Sequence, residues 1–147
     1  MLAFRLATDA EDPLLDAPAS LPCAPVDTRF EGETTDSPML EVTTNACGRA
    51  TFVQETAAPI ARGELIHVTL WHGLLRAADP AEGHLALWLD GELLWETFPA
   101  IPGDPAVYTV DLPAPKDVAT GATFAFHVHN HGVNDWNLAG LEVRDAR

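Results

Sequence analysis

Basic residues and cysteines are both scarce in this chain of 147 residues: Lys and Arg number 8 against 22 Asp and Glu, the formal net charge is −14, and only 2 Cys are present. Too few cations remain to displace the counterions of a phosphate backbone or to hold an anionic lipid surface, which weighs against nucleic acid as a partner. No run approaches the roughly 18 apolar residues that a membrane-spanning helix needs, so membrane insertion is not expected. The opening Met-Leu-Ala-Phe-Arg-Leu-Ala is too short for the apolar region of a signal peptide and runs directly into acidic residues. Signatures of catalysis are equally thin. Ser20 and Ser37 sit in Pro-rich, turn-like surroundings outside any nucleophile elbow, and the glycines are too scattered to form a phosphate loop. Carboxylate pairs such as Asp90 with Glu92, or Asp111 with Glu96, read as ordinary exposed acids at strand ends. No catalytic residue is assigned, and the chain reads as a non-enzyme.

Cys23 and Cys47 lack the Cys-x-x-Cys spacing of zinc or redox sites, and a disulfide between them is the expectation. In the loop-entropy model such a ring contributes about 3–4 kcal/mol. A disulfide implies a secreted, periplasmic or cell-surface setting with a leader absent from this chain, and a cytoplasmic one stays open.

The length is that of one domain. Residues 1–25 carry Pro13, Pro18, Pro22 and Pro25 among small and acidic residues and read as a flexible acidic tail or linker, leaving a single domain over 26–147. Short β patterns follow at 40–43, 51–55, 64–72, 84–90, 93–98, 107–112, 123–130 and 136–144. Asp90-Gly91 between two apolar alternating runs is a two-residue hairpin signal, because both turn positions need positive φ. The only place for a helical turn is 115–120. About eight strands with regular turns predict an all-β fold, an antiparallel β-sandwich of jelly-roll type.

Against this background the histidines stand out. His127, His129 and His131 alternate with Val128 and Asn130, and in a strand they share one side while Phe124, Phe126 and Val128 share the other. The same alternation places Ile66, Val68, Leu70, Leu85, Leu87 and Leu89 inward, and His67, Trp71, His84 and Trp88 outward. If these strands belong to one sheet, the outward residues form a common binding face.

Four stretches carry a family resemblance. Phe30-Glu31-Gly32 resembles a Phe-Glu-x-Gly opening; residues 50–71, with Gln54, Gly63 and Leu65-Ile66-His67-Val68-Thr69-Leu70-Trp71, resemble a Gln…Gly-x-x-Tyr-x-Val-Ser-Phe stretch; 87–94 resembles a strand turning at Asp-Gly; and 124–143 resembles a final strand pair. The motifs and their order are similar to those of carbohydrate-binding modules in the galactose-binding-like superfamily of jelly rolls. The resemblance implies the sandwich and, as function, lectin-like binding of a glycan. Ala139 stands where that family's Ile-Asp-Asp-Val has its first Asp, so a family-type calcium is not expected even though Glu31 is retained.

A sugar site needs a flat apolar plate against pyranose C–H faces, with donors and acceptors at its rim. The expected ligand-binding residues are His67, Trp71, His84, Trp88, His127, His129, Asn130, His131, Asn134, Asp135 and Trp136, with Trp71 and Trp136 as plates. The asparagines and Gly132 can equally make a turn, and Trp136 can cover the end of the core. Two readings from other classes remain. Residues two apart on a strand can share an ion, so His127 and His129 with His67 or His84 form a candidate zinc or copper site. Alternatively, the histidine-rich strand packs against a partner in a structural or assembly domain.

Overall fold

In a computed structural model the described residues are 4–14, 28–31, 39–44 and 48–144. Cys23 and Cys47 lie outside them. Twelve strands follow in order: β1 (Arg5–Leu6), β2 (Thr28–Glu31), β3 (Met39–Thr44), β4 (Arg49–Glu55), β5 (Leu65–His72), β6 (Ala81–Glu82), β7 (His84–Leu89), β8 (Glu92–Thr97), β9 (Ala100–Ile101), β10 (Ala106–Pro113), β11 (Thr123–His129) and β12 (Asn134–Arg144). They form two five-stranded antiparallel sheets, β1-β4-β11-β7-β8 and β10-β5-β12-β3-β2, plus the small pair β6-β9. The fold is an all-β sandwich, and each expected strand is present. No helix occurs among the described residues, so 115–120 is turn rather than helix.

Alternation explains the core. Val42, Phe52, Ile66, Val68, Leu70, Leu85, Leu87, Leu89, Phe124, Phe126, Trp136 and Leu138 meet between the two sheets, and all are buried. Each occupies the inward parity of its strand, so the hydrophobic pattern fixes the register. Asp90 and Gly91 adopt φ of 49° and 79°, the positive pair expected of a tight hairpin whose twist matches its strands.

Two expectations are corrected here. The first concerns the segment read as a tail: β1 pairs with β4, Phe4 is buried in the core, and Asp12 and Leu14 are fixed against the outer face of the first sheet. A local composition poor in apolar residues did not reveal that Phe4, Ala7 and Leu14 find partners elsewhere in the chain. The second concerns the common face. His84, Trp88, His127 and His129 lie in the first sheet, whereas His67 and Trp71 lie in the second. Outward parity on two sheets of a sandwich means opposite sides of the molecule.

Candidate functional site

The outer face of the first sheet is where the histidines gather; His84, His129 and His131 are half-buried there, and around His127 the face is closed. His127 is 2 % exposed. Its Nδ1 lies 2.8 Å from Thr51 Oγ1, which itself donates to Asp12 Oδ1 at 2.8 Å. With the single hydroxyl proton committed to Asp12, the ring donates through Nδ1–H. Ala7 and Leu14 cover Val53, Ala86, Trp88 and Ala125, and Arg49 Nη1 donates to the Leu14 carbonyl. Burial, reinforced by nearby His84, lowers the His127 pKa to about 3, and burial likewise lowers that of His129. Both rings are therefore neutral at ordinary pH.

His84 lies beside His127, ring centroids 5.5 Å apart, and opposite His129 in the strand register, but each remaining histidine has its own surroundings. His84 Nε2 meets Glu96 Oε2 at 3.0 Å and its ring stacks on Phe98 at 4.4 Å. His129 and His131 lie ring to ring at 5.0 Å. His67, on the opposite sheet, pairs its Nδ1 with Asp111 Oδ1 at 2.7 Å. His72 is a core residue, edge-on to Trp136 at 5.0 Å. The four histidines expected to share a zinc or copper ion are thus divided between two sheets, and no group of three His, Cys, Asp or Glu suited to a metal occurs among the described residues.

The turn from Asn130 to Trp136 was expected to present ligand-binding groups, and most of it is internal structure. Trp136 is 0 % exposed and cannot stack on a ligand. Its Nε1 donates to Asn130 Oδ1 at 3.1 Å, and Asn134 Nδ2 donates to the same oxygen at 2.9 Å. Asn130 Nδ2 donates to the Gly132 carbonyl at 2.8 Å. Asn134 also bridges to the Arg76 backbone in both directions, accepting from its N–H at 2.7 Å and donating to its carbonyl at 3.1 Å. Buried carboxamides satisfied in this way fix a turn.

The open face belongs to the second sheet. Strand register sets Val107, Trp71, Asn137 and Glu41 side by side across β10, β5, β12 and β3. Trp71 is 38 % exposed, and beside it runs a cavity of about 520 Å³ lined by Glu41, Trp71, Leu74, Arg76, Asp135 and Asn137, among others. Asn137 is 1 % exposed, yet among the described residues neither its Nδ2 nor its Oδ1 has a hydrogen-bond partner. An unpaired buried polar group costs about 1–3 kcal/mol, which makes the Asn137 carboxamide a costly feature of this face. A second cavity of about 550 Å³, bordered by Gln54, Thr56, Phe124 and Leu141, has no such orphaned side chain.

Of the expected ligand-binding residues, the structure brings Trp71, Asn134 and Asp135 to this groove. Sequence reasoning offered Asn137 among the polar groups for a sugar site but missed Glu41 and Arg76. The outward parity of Asn137 between Trp136 and Leu138 was visible, but nothing in the chain says that β12 lies between Trp71 and Glu41.

No protein-family model and no curated protein matches the chain. Solved structures do resemble it. A CBM4 module is 12% identical with a TM-score of 0.46, over 85% of this chain and 91% of that one. CBM51 from Clostridium perfringens GH95, solved in complex with methyl-galactose, is 12% identical with a TM-score of 0.46, over 86% of each chain. The arabinose-bound α-L-arabinofuranosidase MgGH51 is 12% identical with a TM-score of 0.48, over 82% of this chain and 22% of that one. The carbohydrate-binding modules among them are β-sandwiches, as this chain is.

Proposed function

We propose that this protein is a non-catalytic carbohydrate-binding module whose ligand lies in the groove between Trp71 and Glu41. The observation that carries this reading is the Asn137 carboxamide, buried with both polar ends unpaired beside a partly exposed tryptophan. A carboxamide donates at one end and accepts at the other, which suits a hydroxyl group that does the same. Trp71 supplies the flat apolar surface for the C–H face of a pyranose, Leu74 and Val133 continue the apolar rim, and Glu41 and Asp135 accept from further hydroxyls. A cavity of about 520 Å³ falls within the range that holds small ligands. Glycan binding suits an exported protein, for which a Cys23–Cys47 disulfide would be a further support.

A glycan array followed by calorimetry tests the reading. At least one saccharide should bind, and both Trp71→Ala and Asn137→Ala should weaken it by about tenfold or more, as expected for the loss of a stacking plate or of a buried hydrogen-bonding group. Binding to no saccharide, or binding indifferent to both substitutions, would overturn it.

A further inference from the structure

The groove carries one cation, and the way it is held bears on which sugar fits. Arg76 is fixed at the backbone by both hydrogen bonds to Asn134. Asn134 is fixed in turn by Asn130 Oδ1 at 2.9 Å and the His131 carbonyl at 2.8 Å. Gly132, at φ +84°, lies so near that an added Cβ would stand 2.2 Å from the Arg76 carbonyl oxygen. The buried turn is therefore a clamp on the segment that bears Arg76.

The guanidinium takes no part in that clamp. Among the described residues it makes neither a hydrogen bond nor an ion pair, although Asp135 lines the same cavity. The exposed Arg62 guanidinium is likewise unpaired among the described residues, whereas Arg5 pairs with Glu11 at 2.6 Å, Lys116 with Asp90 at 2.9 Å and Arg144 with Glu142 at 2.9 Å; what sets Arg76 apart is its place in the groove.

Resting on the sugar-site reading, we infer that Arg76 is the specificity-determining residue of the groove and that it selects a glycan carrying a carboxylate, a uronic acid residue. The planar fork of guanidinium N–H groups matches the two oxygens of a carboxylate, whereas a single hydroxyl engages only part of it. Asn137 Nδ2 offers a further donor, and Glu41 and Asp135 accept from the ring hydroxyls. The groove thus offers both donors and acceptors, as a polyhydroxylated acid requires. The net charge of −14 opposes an anion at long range, but screening over about 8 Å at physiological salt leaves the direct contact with Arg76 to decide.

Calorimetry with trigalacturonate, trimannuronate and a glucuronic-acid-bearing xylotetraose, each set against galactotriose, mannotriose and unsubstituted xylotetraose, tests this. At least one acidic saccharide should bind about tenfold more tightly than its neutral counterpart, consistent with a charge-assisted bidentate contact. Arg76→Gln should bring that ratio close to one, and Arg76→Lys should restore only part of it. Equal or tighter binding of the neutral member in each pair, or a ratio unchanged in Arg76→Gln, overturns the inference. If neutral saccharides bind through Trp71 and Asn137 while Arg76→Gln leaves the ratio untouched, the sugar-binding reading stands without it. If none of these saccharides and none on the array binds, both fall.

Discussion

The two outer faces of the sandwich carry polar and aromatic residues in similar density and use them in opposite ways. On the first sheet, His127, Thr51 and Asp12 satisfy one another beneath the N-terminal segment and Trp88 lies under Leu14, with His129 Nε2 left as a single unpaired atom. On the second, Trp71 is open to solvent and Asn137 is buried without a partner. Unusual residues are therefore a poor guide to a site when their hydrogen bonds close internally. Where bonding capacity is left unmet beside a cavity, as at Asn137, the proposed site has its strongest support.

The contrast can be broken most forcefully at the tryptophans. Trp136→Ala empties a fully buried site and should cost about 3–5 kcal/mol in denaturant unfolding, whereas Trp71→Ala should lose ligand and leave stability within about 1 kcal/mol. Comparable destabilisation by the two would erase the distinction between core and plate. The closed histidine face predicts a pH dependence. A pKa lowered to about 3 in the folded protein means that His127 is neutral in both states above its ordinary 6.5. Between those values the unfolded chain binds a proton that the folded one refuses. Stability should fall as pH drops through that window, by up to about 1.4 kcal/mol per pH unit, with His129 adding in the same direction. His127→Gln should flatten the melting profile between pH 6.5 and 4; an unchanged slope would show that the ring is not shielded.

Smaller effects sharpen the comparison. Gly132→Ala places a Cβ against the Arg76 carbonyl at a positive φ and should cost about 1–3 kcal/mol, measurable by urea unfolding. Asn137→Leu removes two unpaired polar atoms, so stability should hold or rise by about 1 kcal/mol while glycan binding disappears. A drop in stability with binding retained would mean that the carboxamide serves the fold.

Much of the architecture was legible because alternation and turn chemistry are local. The period of two in 65–72, 84–89 and 123–129 assigned core and outer faces, and Asp90-Gly91 announced its hairpin. Parity was right for each strand, yet it failed when His67 and Trp71 were added to His84 and His127, because alternation has no information about which sheet a strand joins. The Asn-rich turn misled for a related reason. Asn130 and Asn134 have the chemistry of a recognition loop, and only their partners, Trp136 Nε1 and the Arg76 backbone, show that they are committed inward.

By itself the amino-acid sequence determined the all-β class, the positions of eight of the twelve strands, their inward faces and the outward parity of Trp71. These follow from periodicity and backbone preference within a few residues. The tertiary structure alone decided that β12 separates Trp71 from Glu41, that residues 4–14 cover His127 and the patch around Trp88, and that Asn137 ends without a partner among the described residues. Pairing and burial depend on which distant segments meet, a matter of packing over the whole chain that no local pattern encodes.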